Sequence, residues 1–178
     1  MKETELDSGN IDMIWNGYTI TEERKEKVLF SEPYLSNSQI IVTMADSDIE
    51  TKADLAGKVV ATQQGSAAFD AIIADETGIA AEFDGGTPIL YPTFNDVFND
   101  LESGRSDAIV VDEVLGRYTM KLKGEEKFAV LTDNFGDEEY GVGLRKEDVA
   151  LKEAIDATMN DMREDGTYDE IYAKWFAE

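Results

Sequence analysis

Three short stretches hold the residues with chemical potential. In Asn16-Gly17-Tyr18-Thr19-Ile20-Thr21-Glu22-Glu23-Arg24, a guanidinium and two hydroxyls gather where an apolar run gives way to a helical pattern. Arg presents a planar fork of N–H donors that engages both oxygens of a carboxylate, so Thr19 and Arg24 together suit a carboxylate receptor. The competing reading is that Arg24 pairs with a neighbouring Glu on the surface. In Gln63-Gln64-Gly65-Ser66-Ala67, Gly65 lets backbone approach a ligand and Ser66 can cap a helix whose free N–H groups favour an anion. Lacking the Walker lysine and a full glycine motif, this stretch read alone is more often a plain helix cap. Asp112 ends the apolar run Ala108–Val111, where its carboxylate either holds a ligand ammonium or caps the next helix.

The composition narrows the chemistry. Among 178 residues there are 39 acids and 16 bases, a formal net charge of −23. Nucleic acid and anionic membrane surfaces need basic patches, so neither is an expected partner. The chain has no cysteine and no histidine. Thiolate chemistry, disulfides and the commonest general base and metal ligand are therefore missing. Neither a metal nor a cofactor is expected. Hydrophobic residues make up 42%, enough for a packed core. No apolar run approaches the ~20 residues that cross a bilayer, and the first ten residues lack the apolar core of a secretory signal.

The elements that must position these residues alternate in type. Strands are expected at Ile11–Trp15, Gln39–Met44, Val59–Thr62, Ala108–Val111, Ala129–Leu131 and Tyr140–Leu144. Several are apolar on both faces, as strands covered by helices on both sides are. Helices are expected at Thr21–Val28, Lys52–Ala56, Ser66–Thr77, Thr93–Ser103, Val114–Lys123, Glu147–Glu164 and Thr167–Phe176. The interleaving predicts an α/β fold.

One phrase occurs twice. Leu6-Asp-Ser-Gly-Asn-Ile-Asp-Met-Ile and Leu101-Glu-Ser-Gly-Arg-Ser-Asp-Ala-Ile share Leu-acid-Ser-Gly-x-x-Asp-x-Ile. Each reads as the end of a helix, with Gly at the left-handed position after the cap, followed by a strand. Few residues precede the first copy, and so short a helix is marginal by itself. The expectation is that the chain begins inside a structural unit.

Five stretches together resemble a known family. IDMIWNGYTITEERKEKVLFSEPYLSNSQIIV, DLAGKVVATQQGSAAFDAI, SGRSDAIVVDEVLGRY, EEYGVGLRK and REDGTYDEIYAKWF are similar, in order, to the amino-acid-binding proteins of bacterial ABC importers, solute-binding protein family 3. The resemblance implies a type II periplasmic-binding-protein fold, in which two α/β lobes joined by two crossover strands close on a ligand. It divides the chain into a first lobe at 1–38 and 133–178 and a second at 39–132. Family members normally carry a strand, a helix, a strand and a helix ahead of the SGxID phrase, so the first lobe is expected to be incomplete and the chain N-terminally truncated.

The resemblance also implies roles. Arg24 would clamp the ligand α-carboxylate, helped by backbone N–H groups at Thr19 and around Gly65, Ser66 and Ala67. Asp112 would take the α-ammonium, with the Gly17 carbonyl and the Thr19 hydroxyl as companions. Trp15 and Gln63 would face the ligand side chain. The implied partners are a small-molecule amino acid and an ABC transporter permease, and the implied location of the parent protein is periplasmic or extracellular and anchored at the cell surface. Two other outcomes compete with this one. One is a chain that binds ligand poorly and self-associates into a homodimer through an exposed sheet edge. The other is a dehydratase on the same fold, which the absence of histidine and a pocket already filled by Arg24 and Asp112 argue against. The expected answer is a binding protein and not an enzyme.

Overall fold

In the computed structural model, which describes residues 2–176, the chain forms two compact units. One is Asn37–Glu138; the other is built from the chain before and after it.

The unit Asn37–Glu138 is organised on a five-stranded mixed sheet. Its strands are β2 (Leu35–Met44), β3 (Val60–Gln63), β4 (Ile89–Tyr91), β5 (Ala108–Asp112) and β6 (Phe128–Tyr140), in the order β4-β3-β5-β2-β6. β3 runs parallel to both β4 and β5, while β2 is antiparallel to β5 with Gln39 opposite Asp112. Because side chains alternate along a strand, the central strands feed two cores. Ile41, Val60, Ala108 and Val110 pack with Ala68 and Ile72 of helix α3 (Ala67–Ala74) on one face. Ile40, Val42, Ala61, Ile109 and Val111 pack on the other face. There they meet Val97, Phe98 and Leu101 of α4 (Phe94–Glu102) and Met120 of α5 (Glu113–Lys123). Apolar runs on both faces of the strands thus have a partner on each side. β2 and β6 are long enough to run out of this unit into the other.

The flanking unit contains α1 (Lys2–Asp7), α2 (Glu22–Lys27), the short antiparallel pair β1 (Leu29–Phe30) and β7 (Gly143–Leu144), and helices α6 (Val149–Glu164) and α7 (Thr167–Phe176). Leu6, Ile14, Tyr18 and Val28 form one small cluster; Val142, Leu144 and Met159 form another.

Several expectations change. The run 11–15 is not a strand: Ile14 alone makes a bridge, exchanging hydrogen bonds of 2.8 and 2.9 Å with Gly143. Residues 52–55 form a single 3₁₀ turn, since the Thr51–Asp54 capping box closes it and Ala56 is already non-helical. α3 stops at Ala74 because Asp75 turns extended, accepting from Lys52 Nζ at 2.7 Å and from the Thr77 backbone at 3.1 Å. β6 extends far beyond 129–131, its polar half hidden from sequence by exposure along much of its length.

Candidate functional site

In the flanking unit, Thr21 caps α2 by accepting the Arg24 backbone N–H at 3.2 Å. This cap fixes where Arg24 leaves the helix. Its guanidinium carbon lies 4.7 Å from the centre of the Tyr18 ring, and one terminal nitrogen donates to the Thr19 carbonyl at 3.0 Å. No carboxylate forms an ion pair with Arg24 among the described residues, so the surface pairing with a nearby Glu does not occur. Glu22 and Glu23 are engaged instead by Lys25 at 2.6 Å and Lys27 at 2.5 Å. A guanidinium with five donors, one of them used here, keeps most of its binding capacity.

Tyr18 is the platform for this arrangement. It is fully buried and donates its hydroxyl to Glu3 at 2.8 Å. Burial and the Glu3 carboxylate push its pKa far up, so the ring stays neutral under Arg24. Thr19, 4% exposed, stands opposite Tyr140 as a pair flanked by Ile20 N–H to Glu139 O at 2.9 Å and Gly141 N–H to Tyr18 O at 3.1 Å. In that geometry the Thr19 N–H and C=O face away from Tyr140. Gly17 adopts a left-handed φ of 69°. Burial raises the pKa of the Tyr34 hydroxyl, and the Gly17 backbone and Trp15 pull it back in part. Trp15 is half-exposed, edge-on to Tyr34 with ring centres 5.9 Å apart. It lines an open apolar groove of about 240 Å³ with Ile155, Met159 and Met162 of α6.

In the unit Asn37–Glu138, Gly65 turns the chain with φ 67° after β3. Ser66 then caps α3, accepting the Phe69 N–H at 3.2 Å and donating to Gln63 O at 2.7 Å. The hydroxyl is thereby spent on the cap, and the first-turn N–H groups that the cap does not use are those of Ala67 and Ala68. The Gln63 side chain donates to Pro92 O at 2.9 Å.

Asp112 occupies the N-cap position of α5 without capping it. The Val114 N–H that it would serve is taken by Asn37 Oδ1 at 3.2 Å. Asp112 Oδ1 accepts from Gln39 Nε2 at 2.7 Å and Asn37 Nδ2 at 3.2 Å. The same two amides donate to Glu138 Oε1, at 2.7 and 2.6 Å. Asp112 Oδ2 has no hydrogen bond among the described residues, and Asp112 forms no ion pair there. Of its two readings, helix cap is the one this geometry removes. Sequence reading missed Asn37, Gln39 and Glu138. The signal for Asn37 and Gln39 was an amide at alternate positions on one strand, which puts both on one face; Glu138 carried none.

A protein of two α/β units, linked by two strands and carrying cationic and anionic groups at loop ends, has the build of the type II periplasmic binding proteins. The chain belongs to the bacterial extracellular solute-binding proteins, family 3, whose model matches residues 2–178. It is 33% identical over 175 residues to the ABC transporter glutamine-binding protein GlnH of Bacillus subtilis, covering 97% of this chain and 60% of that protein. It is 34% identical to the L-cystine-binding protein TcyJ of Escherichia coli, covering 96% and 62%. A substrate-binding protein of an ABC uptake transporter from Streptococcus pneumoniae, solved with bound histidine, matches with TM-score 0.94 and 37% identity, covering 99% of this chain and 72% of that one. The chain thus spans about three-fifths of the length of these curated relatives.

Proposed function

We propose that this chain binds a free amino acid outside the cytoplasmic membrane as the receptor module of an ABC importer and hands it to a membrane permease. In this reading Asn37–Glu138 is the second lobe and the flanking unit belongs to the first. Arg24 takes the α-carboxylate, with the N–H groups of Thr19, Ala67 and Ala68 assisting. Asp112 takes the α-ammonium, a role the Gly17 carbonyl and the Thr19 hydroxyl share. Trp15 and Gln63 contribute to the ligand side-chain environment, and Gly65 and Ser66 shape the turn that presents the amides.

One observation carries the proposal: Asp112 stands where a helix cap belongs, yet a second residue does the capping and leaves the Asp112 carboxylate with an oxygen unengaged among the described residues. An ionised group held by neutral amides and kept out of structural duty suits a ligand cation. Arg24, oriented on Tyr18 and without a carboxylate partner among the described residues, supplies the complementary charge. A family of binding proteins, with relatives named for glutamine, cystine and histidine, supports the ligand class.

Isothermal calorimetry with the twenty proteinogenic amino acids tests this. At least one should bind, and the binding should be lost in Arg24→Ala and in Asp112→Ala. Binding of glucose with no response to any amino acid would overturn the ligand class.

A further inference from the structure

We propose that Gln39 and Glu138 complete the ammonium subsite: Gln39 positions Asp112, and Glu138 adds a second negative charge that selects for the ligand's positive one. This rests on the assignment of Asp112 to the ligand ammonium.

The sheet order places these groups. β2 lies between β5 and β6, and Gln39 is the cross-strand neighbour of Asp112. From that central strand the Gln39 amide reaches Asp112 on one side and Glu138 on the other, each at 2.7 Å. Gln39 is 1% exposed, so its side chain has little freedom to reorient. Its Oε1 is buried without a hydrogen-bond partner among the described residues. Turning the amide end for end would set that oxygen against two carboxylates, so the sharing of Nε2 fixes the orientation, and the fold accepts an unsatisfied acceptor to keep it.

Asn37, two residues earlier on the same face, repeats the bridge and also caps α5. Two oxygens each 2.7 Å from one amide nitrogen lie no more than about 5.4 Å apart, a range at which like charges raise the negative potential each other feels. A cation arriving at Asp112 Oδ2 meets that combined potential. An anionic group at the same place is repelled by it, and a neutral one gains nothing from it. Gln39 therefore acts through Asp112, and Glu138 acts through its field.

The experiment compares the best-binding amino acid from the twenty with its des-amino carboxylic acid, which keeps the side chain and the carboxylate. Wild type, Gln39→Leu, Glu138→Gln and Asp112→Asn are titrated by calorimetry, with melting temperatures recorded for each. Gln39→Leu should weaken the amino acid by about tenfold or more and the des-amino analogue by less than about twofold, because only the ammonium contact depends on the clamp. Glu138→Gln should weaken the amino acid several-fold and leave the analogue unchanged or tighter. A Gln39→Leu chain that fails to fold leaves the decision to Glu138→Gln, which preserves shape. If Asp112→Asn binds like wild type, or no amino acid binds wild type, the assignment of Asp112 falls and this inference with it. If Asp112→Asn weakens the amino acid while Gln39→Leu and Glu138→Gln weaken both ligands equally or neither, only the present inference is overturned.

Discussion

The phrase Leu-acid-Ser-Gly-x-x-Asp-x-Ile folds identically at its start and differently at its end. In the first copy Gly9 N–H bonds Leu6 O at 3.1 Å and Asn10 N–H bonds Glu5 O at 3.0 Å. In the second, Gly104 N–H bonds Leu101 O at 3.0 Å and Arg105 N–H bonds Asp100 O at 3.2 Å. Both are Schellman caps, with Gly at φ 73° and 70°, and both bury the leucine completely. Even the side chains correspond. Asn10 donates to Glu5 at 2.8 Å, and Arg105 donates to Asp100 at 2.5 Å. Beyond the cap the copies part. Residues 108–112 become β5, hydrogen-bonded to β2 on one side and β3 on the other, whereas residues 11–15 obtain one bridge through Ile14. A cap is closed by residues five positions apart; a strand exists only where other strands meet it.

That comparison can be broken at four points. The largest effect is expected from the leucines. Leu101→Ala opens the core shared by Phe98, Val97 and Ile109, and should cost toward the upper end of the 2–5 kcal/mol seen for buried Leu→Ala changes. Leu6→Ala disturbs a cluster of four buried residues and should fall toward the lower end, about 2 kcal/mol. Urea unfolding gives the totals. Hydrogen exchange should show the Leu101 change loosening β5 and the Leu6 change loosening α1 and Ile14 alone.

Next come the acids before the caps. Asp100 is fully buried; burial opposes its charge, but hydrogen bonds from Ser106, Tyr91 and Arg105 outweigh that and hold its carboxyl below the ordinary value. A depressed pKa contributes stability that is present above the unfolded value of about 3.9 and is lost as pH falls through the lower folded value. Asp100→Ala should cost about 1–3 kcal/mol at neutral pH by stranding Ser106 and Arg105. It should also flatten the decline in urea midpoint expected of wild type below about pH 4. The glycines follow: Gly104→Ala and Gly9→Ala each force a side chain into left-handed backbone, at about 1 kcal/mol. In thermal melts Gly104→Ala should lower the main transition, while Gly9→Ala should act chiefly on α1. Smallest is Glu5→Ala, which removes a solvent-exposed contact and should change the urea-derived stability by less than about 0.5 kcal/mol. An Asp100→Ala effect as small as that of Glu5→Ala would erase the distinction between the two copies.

Elements with local signals were legible before the fold was known. Thr21 before two acids marked α2, Ser66 after Gly65 marked α3, and Thr167–Phe176 was read with the bounds that α7 has. β4 was not legible, because Ile89–Tyr91 is short, follows Pro88, and is largely exposed at the edge of the sheet. Of the candidate site residues, Arg24 and Asp112 stood out by type and place. The amide clamp could not stand out, since Asn37, Gln39, Asp112 and Glu138 are distant in sequence and ordinary in composition.

The sequence by itself determined the periodicities, the caps and the charge, because each depends on residues within about one helical turn or one strand of each other. It thereby determined an α/β protein without histidine or cysteine chemistry, and the family to which it belongs. Only the tertiary structure decided which caps are real and which acids are free. Asp112 loses its capping duty because antiparallel pairing brings β2 alongside, where Asn37 can reach Val114. Arg24 is kept from the neighbouring glutamates because Tyr18, buried by α1, offers its ring and Thr19 its carbonyl. Such assignments rest on neighbours that only folding brings together.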